Sequence, residues 1–444
     1  MRSLHQSNLD FQLAETKETI TSRSGLAVIQ ELALSLGVVE TIARELPAPG
    51  SNRGFQPVEY VMPLVLMFCG GGRTMEEIRE IEQDPGLRSL CQYERIPSPD
   101  AIGQWLRKPR HLVGLKRVNR HLVRQVLAQT KATDFTLDTD ATYMETDKDC
   151  AERNYEGVKS FSALMSFLAE IDLCLCCEYR NGNISPATRI REELEYADKE
   201  LKRNGKRLAY FRSDSAGYTS EIMNYCFAKK ITFTITADQD VSVKELIRAI
   251  PAGGWTRIYN EKLEYTGRDY AQTIQCMGKT DKSFTLIVQR WSNPRPDLFE
   301  DCLFCYHVIA TNDYQRSTRA TIEFHNQRSN AENYNKEIKN GFGMDYAPSQ
   351  RLGANRVYFE IGVLAYNLTI AFKRLLLNSD WHRKTIATLR WELLLIGGKV
   401  VRTGRRLLLK VMRRHLELLT AIRERLKQVL IMISTPGLPT PGLT

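Results

Sequence analysis

Apolar residues recur at helical spacing through the first quarter of the chain. Leu32, Leu36 and Val39 follow one another at intervals of four and three, and residues 60–68 form an apolar run that leads into Gly70-Gly71-Gly72. This spacing is typical of helices that bury one face. The pattern therefore predicts a mainly helical region over residues 1–125, with a polar arm at residues 1–23.

Alternation with a period of two replaces this spacing in the middle of the chain, which favours strands. Strands are predicted at residues 135–143, 161–168, 173–179, 207–214 and 231–237, with helices at 186–204 and 220–228. The order β-β-β-α-β-α-β indicates an α/β fold. Shorter alternating segments follow at 256–259, 263–265, 270–275, 284–291 and 303–311. They predict a β-rich insertion over about residues 238–310.

The last part of the chain returns to helical spacing. A helix is predicted around residues 357–377, and a basic one over 399–415. The apolar side of the second helix would be formed by Leu407, Leu408, Val411 and Met412. A basic helical region over 376–433 follows from this pattern, and the repeated Thr-Pro-Gly-Leu predicts a disordered tail at 434–444.

One predicted helix, over residues 325–341, combines an apolar face with a charged one. The apolar face repeats every seven residues, at Phe324, Ala331 and Ile338. Arg328, Glu332 and Lys339 share the second face, because helix positions i, i+4 and i+11 lie on one side. Gly341 suits the left-handed position that closes a helix. A carboxylate between two long cations suits a metal beside phosphates, and the alternative is a solvated helix with Glu–Lys pairs.

Two earlier stretches add carboxylates to this picture. Asp138, Asp140 and Thr142 share one face of the first predicted strand, and Asp214 ends the fourth. Two aspartates on strands and a glutamate on a later helix can form a cluster for two Mg²⁺ ions. Mg²⁺ prefers oxygen ligands, and a pair of such ions can activate an attacking oxygen and stabilise a leaving one.

With these residues the sequence resembles the DDE transposases of prokaryotic insertion sequences, in the superfamily with the signature Tyr-x2-Arg-x3-Glu-x6-Lys. The corresponding residues are His325, Arg328, Glu332 and Lys339, so three of four positions match and His325 departs from the pattern. The stretches around Asp140 and Asp214 also resemble this family, and the likeness spans about residues 20–375.

The resemblance implies a fold, an activity and a set of site residues. The expected fold is an RNase H-like, retroviral-integrase-like catalytic core over residues 130–375, interrupted by the β-rich insertion. The expected activity is DNA cleavage at element ends and strand transfer into target DNA. Asp140, Asp214 and Glu332 would hold Mg²⁺, with Mn²⁺ as a substitute, and Asp138 is the rival for the first position. The alternatives are a catalytically inactive DNA-binding relative and a two-metal nuclease without strand transfer.

The charge balance agrees with a polyanionic partner. The 444 residues include 62 Lys and Arg against 52 Asp and Glu, for a net charge of +10 and a pI near 9.0. The expected partners are double-stranded DNA, as terminal inverted repeats and target, and a second copy of the chain. No apolar run is long enough to span a bilayer. Without a signal-peptide pattern at the N-terminus, the expected location is the cytoplasm, on the nucleoid.

Several stretches are candidates for contact with DNA. Arg328, Lys339 and His325 would hold phosphates, and Trp291 in the insertion, beside Arg290 and Arg295, would stack on a base. A surface hairpin with a packed tryptophan is the alternative for Trp291. Residues 74–108, with Asp100 as a helix cap, predict a helix-turn-helix or a helical core module. The basic helix at 399–415 would lie on DNA or a partner subunit, or be a solvated C-terminal helix.

Ten cysteines raise the question of zinc. Cys302 and Cys305 have C-x2-C spacing, but His307 follows Cys305 too closely for a usual zinc set, and Cys174, Cys176 and Cys177 lie in an apolar strand-like run. Reduced thiols in the core are the favoured interpretation.

Overall fold

The structure, a computed structural model, describes residues 11–50, 53–280, 282–294 and 303–434. A short strand, β1 (Ile20–Thr21), comes first, and helices then form the N-terminal region, as predicted. They are α1 (Leu26–Ser35), α2 (Val38–Glu45), α3 (Pro57–Gly70), α4 (Arg79–Glu82), α5 (Pro85–Cys91), α6 (Pro99–Leu106) and α7 (Arg110–Gln129). The predicted tail, apart from Ser434, lies outside the described residues.

The start of α6 differs from the prediction by two residues. Ser98, not Asp100, caps this helix, since its Oγ accepts the backbone N–H of Ala101 at 3.3 Å. Pro99 takes the first helical position, which suits its fixed φ. The Trp105 side chain near the end of α6 is buried between Tyr60 and His111. This packing favours the core-module interpretation of residues 74–108.

A large mixed sheet forms the middle of the molecule. Its strands are β2 (Asp134–Glu145), β3 (Glu152–Arg153), β4 (Lys159–Leu168), β5 (Leu173–Asn181), β6 (Arg207–Ser213), β7 (Thr232–Thr236), β8 (Thr256–Tyr259), β9 (Tyr265–Gln275), β10 (Phe284–Ser292) and β11 (Phe304–Thr311). The order across the sheet is β5-β4-β2-β6-β7-β11-β10-β9-β8, with β3 paired to the start of β4. Strands β2, β6 and β7 are parallel neighbours and the other pairs are antiparallel.

The predicted β-rich insertion extends this same sheet, because β11 pairs with β7 and brings β10, β9 and β8 with it. Helices α8 (Ile190–Arg203) and α9 (Ser220–Lys229) agree with the prediction, whereas α10 (Val241–Arg248) lies in a segment predicted to be strand-rich. The strand predicted at 263–265 is wrong. Leu263 has a φ of 61° in a turn, and β9 begins at Tyr265.

The C-terminal helices are α11 (Thr318–Asn326), α12 (Ser329–Lys336), α13 (Leu352–Leu376), α14 (Ile386–Leu389) and α15 (Arg413–Ser434). The single helix predicted over 325–341 is therefore divided between α11 and α12, and it ends in a π-helical turn, Glu337–Gly341. Gly341 is not left-handed, and the positive φ belongs to Gly343 at 70°. A Cβ on Gly341 would lie 2.7 Å from the Ile386 side chain, so close packing explains this glycine.

The basic helix predicted at 399–415 is wrong for most of its length. Residues 398–410 form a hairpin of β12 (Gly398–Thr403) and β13 (Arg406–Lys410), and β1 pairs with β12. Gly404 has a φ of 58° in the two-residue turn, a conformation that favours glycine. Val400 and Leu409, which pair across the hairpin, pack inward, while residues 402–408 are exposed, including the predicted apolar residues Leu407 and Leu408.

Helix α13 crosses the core, as expected for the apolar residues 357–372, and contacts α3, α7 and β5. Its polar Asn367 is buried and donates to Asn119 Oδ1 and the Cys174 carbonyl, both at 2.8 Å. No single described helix is long and apolar enough to cross a membrane. Together, α1 and α2 meet that criterion by length and composition alone, with a bend of 67° between them.

Candidate functional site

Asp140 and Asp214 lie at neighbouring positions because β2 and β6 are parallel. Thr139 pairs with Ser213, so the next residue on each strand is one of the two aspartates. Asp214 follows β6 directly, and its Oδ1 accepts the backbone N–H of Ala216 at 3.1 Å. The two strands therefore present two neighbouring carboxylates, one within β2 and one directly after β6.

Helix α12 brings a third carboxylate to these two, together with an arginine. The guanidinium of Arg328 lies between two acids, with Nη1 3.5 Å from Asp140 Oδ1 and Nη2 3.3 Å from Glu332 Oε1. The Arg328 side chain is 19% exposed and that of Glu332 60%. One cationic group thus joins the strand and the helix across the site.

Burial and like charge raise the pKa values of the two aspartates. Burial raises the pKa of Asp140 to about 7, and the charges of Asp214 and Glu332 add to this, while Arg328 acts against it. Burial also raises the pKa of Asp214, against the effects of Arg328 and of hydrogen bonds from Ala216 and Ser213. Asp140 is therefore close enough to Asp214 and Glu332 for their charges to repel its own.

Asp138, the rival of Asp140, is occupied by a buried ion pair. Its two oxygens accept Nε and Nη2 of Arg212 at 2.6 and 2.7 Å, and both side chains are almost fully buried. Arg212 Nη1 also donates to the Phe324 carbonyl at 2.8 Å. Asp138 has no free oxygen toward the Asp140 site, so its position is that of a structural group that ties β2, β6 and α11 together.

Asn335 is a site residue that the sequence interpretation missed. Its Nδ2 donates to Asp140 Oδ2 at 2.7 Å, while its Oδ1 is buried and has no hydrogen-bond partner among the described residues. The signal was present, because Asn335 lies three positions after Glu332 and seven after Arg328, on the same helix face.

The remaining predicted phosphate ligands have different positions. Lys339 Nζ is bound to the Tyr143 carbonyl at 2.6 Å and lies 3.4 Å from Thr142 Oγ1, so it anchors the π-helical turn to the end of β2. His325 is only 3% exposed, and its Nε2 lies 3.1 Å from Thr236 Oγ1. Burial lowers the pKa of His325 to about 3, helped by His307 and Arg328, so this histidine is neutral and packed in the core.

Trp291 lies away from the carboxylates, at the end of β10. That strand is four positions from β2 in the sheet, about 19 Å at the usual spacing of strands. The ring is half-buried, with the Arg268 guanidinium 5.0 Å from its centre. Arg290 is paired with Asp269 at 3.0 Å, and Arg295 lies outside the described residues.

The donor set fits a hard divalent cation in its chemistry, since three carboxylates face a single positive group. In the described part of the chain, no three His, Cys, Asp or Glu side chains surround one point closely enough to enclose a metal ion. The Arg328 guanidinium lies between Asp140 and Glu332 instead. The described cysteines are free thiols, and Cys302 of the C-x2-C lies outside the described residues.

Comparison with known proteins gives the family. No curated protein matches the sequence. Among solved structures, a piggyBac transposase synaptic complex with hairpin DNA is similar, with 12% identity, a TM-score of 0.44, and coverage of 97% of this chain and 89% of that chain. The family model described as transposase DDE domain group 1 matches residues 5–430. Because this match spans nearly the whole sequence, the chain belongs to the DDE transposase family.

Proposed function

We propose that this transposase cuts DNA at the ends of a prokaryotic insertion sequence and joins the ends to a target. The observation that carries the proposal is the convergence of Asp140, Asp214 and Glu332 around Arg328. The strand order β5-β4-β2-β6-β7 supports an RNase H-like core, with the first two carboxylates at neighbouring positions of its adjacent parallel strands, within β2 and directly after β6.

Asp140, Asp214 and Glu332 would hold two Mg²⁺ ions, with Mn²⁺ as a substitute, which would activate the attacking oxygen and stabilise the leaving one. In the cleavage step, water attacks a phosphate at the element end and a DNA 3′-hydroxyl is released. In the joining step, that hydroxyl attacks a target phosphate, so one P–O bond forms as another breaks. No protein nucleophile is needed for either step.

The chain's own residues prepare the site for this chemistry. Arg328 has a planar fork that suits phosphate oxygens, and it neutralises the carboxylates until DNA and cations arrive. Asn335 fixes the orientation of Asp140 through its Nδ2 hydrogen bond. Lys339 fixes the end of the helix on β2, and it also supplies a positive charge close to Thr142.

Two alternatives remain separate from this proposal. A DNA-binding relative without catalysis would not need three crowded carboxylates, whose mutual repulsion disfavours folding. A nuclease without strand transfer would use the same site, and only the products distinguish it from a transposase.

The decisive experiment is a cleavage and strand-transfer assay with purified protein, a duplex that carries the element's flanking terminal repeat, and Mg²⁺. Asp140→Asn, Asp214→Asn and Glu332→Gln should each abolish cleavage while duplex binding in EDTA is retained, because phosphate contacts come from separate basic residues. Wild-type cleavage by Glu332→Gln would overturn the assignment. Cleavage without joined products would favour the nuclease.

Arg328 and Lys339 are tested in the same assay. Arg328→Lys should cleave less than wild type, since a point charge cannot reproduce the fork. Lys339→Ala should reduce cleavage partially, because the helix end loses its anchor while the carboxylates stay. Wild-type rates for both Arg328→Ala and Lys339→Ala would mean that this helix face is an ordinary salt-bridged surface.

A further inference from the structure

An open groove of about 1030 Å³ runs along α12 and the π-helical turn, beside the helix face that carries Glu332. One wall is formed by α12 and the π-helical turn, the floor by the end of α13, and the other wall by residues 379–390. Asn333 and Lys336 line the groove from α12, while Glu332 and Asn335 of the same helix face the site. The groove and the proposed catalytic site therefore share one helix.

Positive charge exceeds negative charge in this groove. Among its described lining residues are six lysines and arginines, against the two carboxylates of Asp172 and Glu337. Lys336 and Arg383 are exposed and form no ion pair with any described residue. Their positive charges lie on opposite walls, so the groove is open to an anionic ligand between them.

Two buried nitrogen atoms in the groove also lack partners. Arg374 binds Asp172 through Nη2, but its Nε has no hydrogen-bond partner in the described structure, and neither has Nε2 of His382. A buried polar atom left unpaired disfavours the folded state. A ligand oxygen would satisfy the Arg374 Nε–H, so the groove has both the charge and an unpaired donor for an anion.

We infer that this groove binds the sugar-phosphate backbone of DNA beside the position of cleavage. Lys336 lies four residues after Glu332, which is about 6 Å along a helix axis. That separation is about two steps of 3.4 Å along a DNA strand. The inference rests on the proposed function and names where the DNA lies during it.

The test is duplex binding by the double variant Lys336→Ala/Arg383→Ala, measured by fluorescence anisotropy in EDTA over a range of salt concentrations. The variant should bind several-fold more weakly at low salt. The negative slope of log affinity against log salt should become less steep by about two. The matched control is Lys202→Ala/Lys244→Ala, which removes two exposed, unpaired lysines from α8 and α10. Its slope should change less.

Two duplexes, one with the terminal repeat and one unrelated, identify the source of the backbone. If the variant loses affinity only for the terminal-repeat duplex, the element end lies in the groove. If it loses affinity only for the unrelated duplex, the target DNA lies there. Equal slopes for the groove variant and the control on both duplexes would overturn the inference. The binding measurement involves no metal and no cleavage. A negative result would therefore contradict DNA binding in the groove without contradicting the proposed catalytic role of the carboxylates.

Discussion

At the scale of single residues, two aspartates on the same face of β2 are both buried, and burial raises the pKa of both, but their partners differ. Asp138 meets a bidentate arginine in the core, whereas Asp140 meets other acids and a longer contact to Arg328. Their environments, not their spacing, distinguish them: the first is paired with an arginine in the core, and the second lies beside other acids.

Substitution of the two aspartates separates these roles. Asp138→Asn leaves the buried Arg212 charge without its counterion, and we expect a loss of about 3–5 kcal/mol in the free energy of unfolding. Asp140→Asn removes a repelled charge, so its stability should stay within about 1 kcal/mol of wild type while cleavage is lost. Thermal unfolding and the cleavage assay measure the two effects. Lost cleavage with unchanged stability in Asp138→Asn would show that Asp138 is the ligand.

His325 gives a prediction about pH. Its folded-state pKa of about 3 lies below the ordinary 6.5, so the unfolded chain binds the extra proton between these values and stability falls as pH falls through that window. Between pH 7 and pH 5 this histidine should remove about 2 kcal/mol of stability. His325→Gln should abolish that part of the pH dependence. Denaturant unfolding of both proteins at the two pH values measures it, and parallel pH dependences would contradict a buried neutral histidine.

At the scale of elements, the β12–β13 hairpin presents three arginines around a tight turn. Arg402, Arg405 and Arg406 are exposed and form no ion pair with the described residues. Their positive charge led us to expect a segment that faces DNA or a partner subunit. The charge lies on a hairpin and not on the predicted helix.

If the hairpin meets DNA, the triple variant Arg402→Ala/Arg405→Ala/Arg406→Ala should bind duplex more weakly. The negative slope of log affinity against log salt should become less steep by about one for each lost phosphate contact. Circular dichroism should stay unchanged, because these side chains support no described packing. If affinity is unchanged and the apparent molecular mass in solution falls, the hairpin instead contacts a second copy.

At the scale of the whole molecule, the two ends of the described chain support each other. Strand β1 pairs with β12, and the Ser24 hydroxyl and N–H both donate to the Ile396 carbonyl, at 2.8 and 3.1 Å. Next to it, a Cβ on Gly25 would lie 2.0 Å from the Leu393 carbonyl oxygen. The predicted boundaries at residues 125 and 375 stay predictions, but the terminal regions meet in one packed unit.

Gly25→Ala tests this packing. The added methyl group must displace backbone, so we expect a loss of about 1–3 kcal/mol in the free energy of unfolding. Gly353→Ala is the matched control, because a Cβ there meets nothing within 4 Å and alanine favours a helix. Thermal unfolding of both variants gives the comparison. Equal melting temperatures would show that the N-terminal helix can move away from residues 393–396 without loss.

The sequence by itself determined the elements whose side chains follow one clear period. Alternation located β2, β4, β5, β6 and β7, and apolar spacing located α8, α9 and α13, because burial of one face depends on local periodicity. The three carboxylates and Arg328 follow from the same local order, together with the family resemblance.

Only the tertiary structure decided which of these residues are free to act. The hydrogen-bond partner of Asp138 is 74 positions away and that of Asn335 is 195 away. No local pattern therefore shows that Asp138 is paired with an arginine in the core while Asp140 accepts a hydrogen bond from α12. The segment 398–410 was predicted to be helical, and it forms a hairpin because β12 pairs with both β13 and β1. Burial of His325 depends on β7 and β11. Long-range pairing and desolvation set these states, and both arise only when distant segments pack together.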